Sequence, residues 1–294
     1  MTKKVLDFMK YKWLYFLLSG TALVISIFAL IFWGFKPSVD FTGGTILELE
    51  ATASADLEGS DINTIAKELG LSLESVQPSG DSTYLLRLKE IDLQKKDTLL
   101  IAISKKFGPI VEVSFSSVGP TLGTELIKKT IIAIILAAGF IMYYVTSRFK
   151  DKKFGVCAIL AMFHDTLILL GTFAVLGHFA GVEIDTLFVT AVLTILSFSV
   201  HDTIVVYDRI REGQKMFPRA AFVDLVNKAV AETLGRSVNN SMTIIFMLLV
   251  LFLLGGQTIH WFILALLVGT VAGTYSSTFT AAPLLVVWER LKKK

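Results

Sequence analysis

The stretch TLFVTAVLTILSFSVHDTIVVY, residues 186–207, is apolar apart from scattered hydroxyls and one His201-Asp202 pair. A hydrocarbon core of about 30 Å is crossed by roughly 20 helical residues, so this run is long enough to span a membrane. Five further runs of similar character lie at 14–35, 126–147, 154–176, 238–254 and 261–288. Together they predict six membrane-spanning helices. Lys3, Lys4, Lys10 and Lys12 precede the first run as they would a secretory signal, but its apolar part is too long and no small-residue cleavage site follows. A retained anchor is expected.

Composition points the same way. The hydrophobic fraction is 53% and the mean hydropathy +0.66, beyond what a water-soluble core hides. The formal net charge of +3 is too small for a nucleic-acid surface, and the Lys and Arg residues cluster in short segments between apolar runs. No nucleic-acid partner is expected. With Cys157 as its only cysteine, the chain builds neither an internal disulfide nor a cysteine metal site. There is no GxGxxG, P-loop or HExxH, and the His-Asp pairs carry no further ligand spacing, so no cofactor, metal site or enzymatic activity is expected.

Orientation follows from the basic residues of the short connections. The N-terminus, residues 148–153, residues 209–236 and the tail at 290–294 are basic, whereas 177–185 and 255–260 hold no Lys or Arg. Six spans then place both termini in the cytoplasm and the long segment after the first span outside. Three parts are expected: 1–37, the N-terminus and first span; 38–120, an extracytoplasmic domain; and 121–294, five spans with a cytoplasmic amphipathic segment at 208–235 and a basic tail.

Within 38–120 the hydrophobic period changes. Residues 44–49, 73–77, 83–88 and 111–118 alternate as strands, 56–69 and 92–107 have helical spacing, and Pro78, Ser79, Gly80 and Asp81 make a turn. The order βαββαβ is that of a ferredoxin-like unit. In the segment 208–235, Phe222, Leu225, Val226, Ala229 and Val230 recur at helical spacing around Asp224, Asn227 and Lys228. That helix either lies on the inner membrane surface or packs under the bundle.

Ionisable groups within spans cost roughly 2.5 to 3.5 kcal/mol each and ask for a reason. They are His164 and Asp165 in the third span, His201 and Asp202 in the fourth, and Arg236 opening the fifth ahead of Asn239, Asn240 and Thr243. Asp165 lies about eleven residues, roughly 17 Å, beyond the basic turn. Asp202 lies about six residues before Asp208, roughly 9 Å from the inner boundary, where Arg236 is expected to face it. Arg236, Asn240 and Thr243 share a face aimed at a partner or a water-filled path. A carboxylate that is by turns an Arg-paired anion and a neutral acid suits proton transfer, and the histidines could extend a relay. The alternatives are a static ion pair fixing helix registry and histidines that only bond helix to helix.

Other features read as structural. Gly269, Gly273, Ser277 and Ala281 repeat every four residues, a face that lets a neighbouring helix approach closely. Gly43 and Gly44, after Asp40, Phe41 and Thr42, and Gly119 with Pro120, stand at the two joints of the outer segment, as hinges or as sharp turns.

Several runs resemble the SecD/SecF family of the bacterial accessory translocase, within the resistance-nodulation-division superfamily. They are Val39 through Gly44, Val118-Gly119-Pro120 with Leu122 through Leu126, His164-Asp165, His201 through Glu212, and residues 269–283 containing Gly273-Thr274-Tyr275-Ser276-Ser277. The resemblance implies a six-helix membrane bundle, half of a resistance-nodulation-division transporter, that uses the proton motive force to promote protein export. It implies a SecD-like partner chain, the Sec channel SecYEG with YajC or YidC as optional neighbours, an unfolded secretory polypeptide and the lipid of the cell membrane as partners. The family's essential aspartate falls on Asp202 and its fifth-span arginine on Arg236, with Asp165 as a second carboxylate. The family's usual Asn before the fourth-span aspartate is replaced by His201, which bears on ion coupling, and its usual Ser-Arg-Thr reads Gly235-Arg236-Ser237. A small-molecule efflux subunit would need a larger, pocketed outer domain, and a non-coupled assembly factor would use Asp202 and Arg236 only to join helices.

Overall fold

The computed structural model describes residues 7–51, 59–78, 82–149 and 151–292. Parts of the expected basic N-terminus, the start of the first outer helix, the 79–81 turn, Lys150 and the last two lysines lie outside these residues. After a 3₁₀ turn at Phe8–Tyr11 come α1 (Lys12–Phe32), a short α2 (Val39–Thr42), β1 (Gly44–Ala51), α3 (Gly59–Glu68), β2 (Leu73–Pro78), β3 (Thr83–Leu88), α4 (Leu93–Phe107) and β4 (Ile110–Val118). Then follow α5 (Pro120–Arg148), α6 (Lys152–Ala180), α7 (Thr186–Met216), α8 (Phe222–Leu254), α9 (Gln257–Ser276), a π-turn at Ser277–Ala281 and α10 (Ala282–Lys292). The chain divides into two compact units, one formed by Met1–Lys36 with Ala133–Lys294, the other by Pro37–Ile132.

Among the described residues six helices are long and apolar enough to cross a membrane, α5 running from the second unit into the first. α6, α7 and α9 form the centre of the first unit, and α1 packs on α6. Asp151 caps α6 by accepting from the Lys153 N–H at 3.2 Å, and Asp185 caps α7 by accepting from the Phe188 N–H at 2.7 Å. At Gly171 a Cβ would collide with Ser26, so α1 and α6 approach through their small residues. α5 shows the opposite character: Ile131, Ile132, Ile135, Leu136, Phe140 and Tyr143 are all more than half exposed. A helix apolar on every exposed side belongs in lipid or against another membrane chain.

The fifth and sixth spans depart from the simple expectation. α8 is one 33-residue helix, so the amphipathic segment from Phe222 continues into the membrane run without a break. Of the two alternatives for that segment, packing under the bundle is the one realised: Leu225, Val226, Ala229 and Val230 are buried. Asn227, read from sequence as part of the wet face, is buried too. Its Oδ1 accepts from the Met9 N–H and its Nδ2 donates to Asp7 Oδ1, both at 2.9 Å, which holds the N-terminal 3₁₀ turn. The sixth span widens into a π-turn just before Pro283, whose missing N–H leaves the Phe279 carbonyl without its helical donor.

In the second unit the four strands form one sheet in the order β2-β3-β1-β4, every neighbouring pair antiparallel. Leu47 and Leu49 of β1, Leu86 and Leu88 of β3, Ile62, Ile65 and Ala66 of α3, and Leu99 and Ile103 of α4 make its core. Each of these leucines and isoleucines contributes roughly 1.5–3 kcal/mol on burial.

Candidate functional site

Asp165 is fully buried in α6. Its Oδ2 accepts the hydroxyl of Ser199 in α7 at 2.5 Å and that of Ser276, the last residue of α9, at 2.6 Å. Its Oδ1 lies 2.9 Å from Nδ1 of the adjacent His164. His164 is 4% exposed, and its Nε2 is buried with no hydrogen-bond partner. With Nδ1 donating to the carboxylate, Nε2 carries the free lone pair of a neutral imidazole.

Asp202 is also buried, three residues further along α7 than Ser199. Its Oδ2 accepts a hydrogen bond from the hydroxyl of Ser237 in α8. Arg236, expected to face Asp202, is turned outward and exposed, and no ion pair among the described residues joins the two. The reason is helical geometry: successive residues diverge by about 100°, so a helix that aims Ser237 at α7 aims Arg236 away. His201 is exposed on α7, and Asn239, Asn240 and Thr243 are exposed on α8 along the side of Arg236. The polar stripe therefore runs along the outside of this chain's own bundle.

The small-residue face of the sixth span meets α7. A Cβ at Gly269 would collide with Ile195, and one at Gly273 would lie 3.3 Å from Phe198 and 3.4 Å from Ser199. Ser277 and Ala281 are fully buried in the π-turn. The Tyr207 hydroxyl of α7 donates to the Ala281 carbonyl at 2.9 Å, and Ser19 of α1 pairs with Thr280 at 3.0 Å. α7 and α1 thus hold the π-turn from two sides.

The glycines at the joints of the outer segment come together. Gly43 and Gly44 have φ of +76° and +135°, where L-residues are strained. A Cβ on Gly43 would stand 2.7 Å from Pro120 Cα, and one on Gly123 would stand 2.6 Å from the Phe41 carbonyl oxygen. Ser38 starts this turn, accepting from the Asp40 N–H at 3.3 Å and offering its carbonyl to the Thr42 hydroxyl at 3.1 Å. Gly119 lies close to the Glu90 carboxylate.

Sequence reasoning picked out both carboxyl groups but missed the serines that hold them. The available signal was faint: Ser199 one turn before Asp202, Ser237 beside Arg236, and Ser276 in a Tyr-Ser-Ser run. Among the described residues no group of three or more His, Cys, Asp or Glu side chains is arranged to hold a metal.

Residues 100–291 match the family described as protein export membrane protein SecD/SecF, C-terminal, and residues 28–55 match the SecD/SecF GG motif. The protein translocase subunit SecF of Thermobaculum terrenum is 40% identical, the alignment covering 97% of this chain and 94% of that protein. The SecF of Synechocystis sp. is 36% identical over 97% of this chain and 95% of its own. The crystal structure of SecDF, a translocon-associated membrane protein from Thermus thermophilus, aligns with a TM-score of 0.85 at 30% identity, covering 98% of this chain and 39% of that one. SecDF in its super-membrane-facing form aligns with a TM-score of 0.69 at 31% identity, covering 100% of this chain and 40% of that one. The chain spans about two fifths of those SecDF chains.

Proposed function

The chain belongs to the SecD/SecF family of membrane proteins for protein export, and from that premise we propose that it works as the SecF subunit of a Sec translocase accessory complex, coupling proton entry to polypeptide export. The observation that carries the coupling is Asp202, a buried carboxyl in a membrane-spanning helix with one hydroxyl donor, beside an outward Arg236 and a polar stripe. An anion so sparsely solvated by protein is a natural place for a proton to come and go.

The partner follows from the same stripe. Arg236, Asn239, Asn240 and Thr243 are costly against lipid, and this chain accounts for about two fifths of each SecDF chain it aligns with. A SecD-like chain covering this face would give Arg236, Asn239, Asn240 and Thr243 a polar neighbour, with Arg236 one residue along α8 from the serine that holds Asp202. In the resulting arrangement both termini are cytoplasmic and residues 38–120 form an extracytoplasmic ferredoxin-like domain, a reading supported by the antiparallel order β2-β3-β1-β4 with two helices. That domain meets the emerging secretory polypeptide near SecYEG, with the glycine joints as hinges. Asp165, His164 and His201 complete the proposed proton path.

One charge crossing 100 mV yields about 2.3 kcal/mol, enough to shift a two-state equilibrium roughly fiftyfold but not to unfold a client. The scale suits ratcheting of a chain already threaded. The test is export of a precursor into membrane vesicles carrying the Asp202→Asn variant. Loss of the gradient-dependent part of export, at normal membrane levels, is expected; export that still responds to collapsing the gradient in that variant would refute the coupling.

A further inference from the structure

The three-helix junction at Asp165 carries more than a second carboxylate. It gathers a carboxyl group from α6, one hydroxyl from α7 and one from the end of α9, and the residue after Ser276 begins the π-turn. Two features of the junction bear on how it could hold a proton. His164, nine-tenths buried, points an unpartnered Nε2 into the bundle. Ser276 has a second acceptor at hand, the Gly273 carbonyl at 3.3 Å.

We propose that Asp165 is a proton-holding site separate from Asp202, and that Ser276 is the positioning residue that passes its protonation state to the π-turn of the sixth span. The inference rests on the proton-coupled reading above and deepens it. In the anionic state the Asp165 carboxylate takes three hydrogen bonds, from Ser199, Ser276 and His164. A solvent proton arriving on Oδ2 makes that oxygen a donor, so it cannot keep two hydroxyl hydrogens directed at it. The Ser276 hydroxyl then turns its hydrogen to the Gly273 carbonyl and accepts from the new carboxylic acid. No other group gains or loses a proton, and the charge of the cluster rises by one. If the proton settles on His164 Nε2 instead, the imidazolium keeps its Nδ1 bond to Asp165 and the carboxylate keeps its serines. The two locations are therefore told apart by Ser276.

The consequence is local. Ser276 is fully buried at the start of the turn in which Ser277–Ala281 run in the wider π register, and Thr278 within it has a buried hydroxyl with no partner. A turn with a spare donor and a wider register has an alternative arrangement close by. Three ionisable groups on the surrounding helices have partners of their own. Tyr275 of α9 donates to the Tyr15 carbonyl of α1 at 3.2 Å, Tyr207 of α7 donates to the Ala281 carbonyl, and Lys153 of α6 pairs with Glu289 of α10 at 3.0 Å. Asp202 is one turn along α7 from Ser199 and bonds Ser237, while His201 is exposed. Among the described residues His164 is the one ionisable side chain in contact with Asp165.

The test uses the full-length chain in lipid nanodiscs, read by infrared difference spectroscopy of protonated carboxyl groups across a pH titration and by amide hydrogen exchange over residues 273–284. Asp165→Asn is expected to remove one carboxyl band and Asp202→Asn a different one. Ser276→Ala is expected to shift the Asp165 band, leave the Asp202 band in place, and remove the pH dependence of exchange in the π-turn. The proposal is overturned if Asp165→Asn leaves every carboxyl band unchanged, or if Ser276→Ala alters neither band position nor exchange. Should Asp165→Asn fail to accumulate folded, Ser276→Ala decides alone. An unaltered Asp165 junction together with gradient-dependent export lost in Asp202→Asn would sink this proposal and leave the proton-coupled reading standing; export indifferent to Asp202→Asn would sink that reading whatever the bands do.

Discussion

Asp165 and Asp202 sit on neighbouring helices, yet the residues around them give them different surroundings: three donors for the first, a single serine for the second. The donor count sets how far each carboxylate depends on any one partner: Asp202 leans on Ser237 alone, whereas Asp165 shares its charge among three donors. Replacing Ser237 by Ala should therefore disturb coupling more than stability. Gradient-dependent export is expected to fall while the thermal midpoint of the purified chain moves little, and an equal loss of both would mean that Ser237 is only packing. Gly43 shows the reverse pattern. With φ of +76° and Pro120 Cα 2.7 Å from any added Cβ, Gly43→Ala should lower the folded yield outright, which immunoblotting of membranes would measure. The presence of Asp165, Asp202 and Gly43 was legible in the sequence because charge and glycine are conspicuous among apolar residues. Their serine partners were not, since a serine in a membrane span more often bonds its own helix, as Thr203 does to the Ser199 carbonyl at 3.0 Å.

Among elements, the π-turn and the first half of α8 are where periodicity told least. Hydropathy read residues 261–288 as one span, which the structure keeps as a continuous run, but it gave no sign of the π register that precedes the Pro283 ring and its absent N–H. Tyr207, fully buried between the rings of Phe149 and Phe154, holds the Ala281 carbonyl at that break. Tyr207→Phe is expected to cost about 0.5–1.5 kcal/mol, visible as a lower denaturation midpoint in detergent, and a midpoint unchanged within error would show that the bond is not needed. The amphipathic pattern from Phe222 correctly marked a helix with one apolar face. It could not say whether lipid or protein covers that face, and Asn227 was misjudged because its partners, Asp7 and the Met9 N–H, are more than two hundred residues away in sequence. Asn227→Ala leaves a buried N–H unpaired and should raise amide exchange in residues 7–12; exchange that stays slow would locate the anchor of this turn elsewhere.

For the whole molecule, what matters is which surfaces remain uncovered. α5 is exposed along nearly its whole length, and the stripe at Arg236, Asn239, Asn240 and Thr243 faces away from the bundle. Apolar exposure is satisfied by lipid, but the stripe calls for a polar neighbour. Interhelical hydrogen bonds in membranes average about 0.6 kcal/mol, roughly threefold in affinity each, so the double variant Asn239→Leu with Asn240→Leu should reduce co-purification of a SecD-like chain several-fold in mild detergent. Undiminished recovery would place the contact on another face, with α5 the first alternative. At the start of α6, Lys153 pairs with Glu289 of α10, and nearby Arg148 of α5 pairs with Asp208 of α7, so ion pairs join helices where basic residues gather at one end of the spans.

The sequence by itself determined that six segments cross a membrane, that a strand-and-helix unit interrupts them, and that carboxyl groups lie among the spans. These follow from hydropathy, period and charge, which act over neighbouring residues and need no knowledge of distant contacts. Only the tertiary structure decided that Ser237 and not Arg236 meets Asp202, that Ser199 and Ser276 converge on Asp165, and that Gly43 rests on Pro120. Each depends on the rotation of one helix about its axis or on the approach of two backbones, and a single residue step of about 100° changes which side chain faces inward. That angle is set by packing against neighbours distant in the chain, which local pattern does not encode.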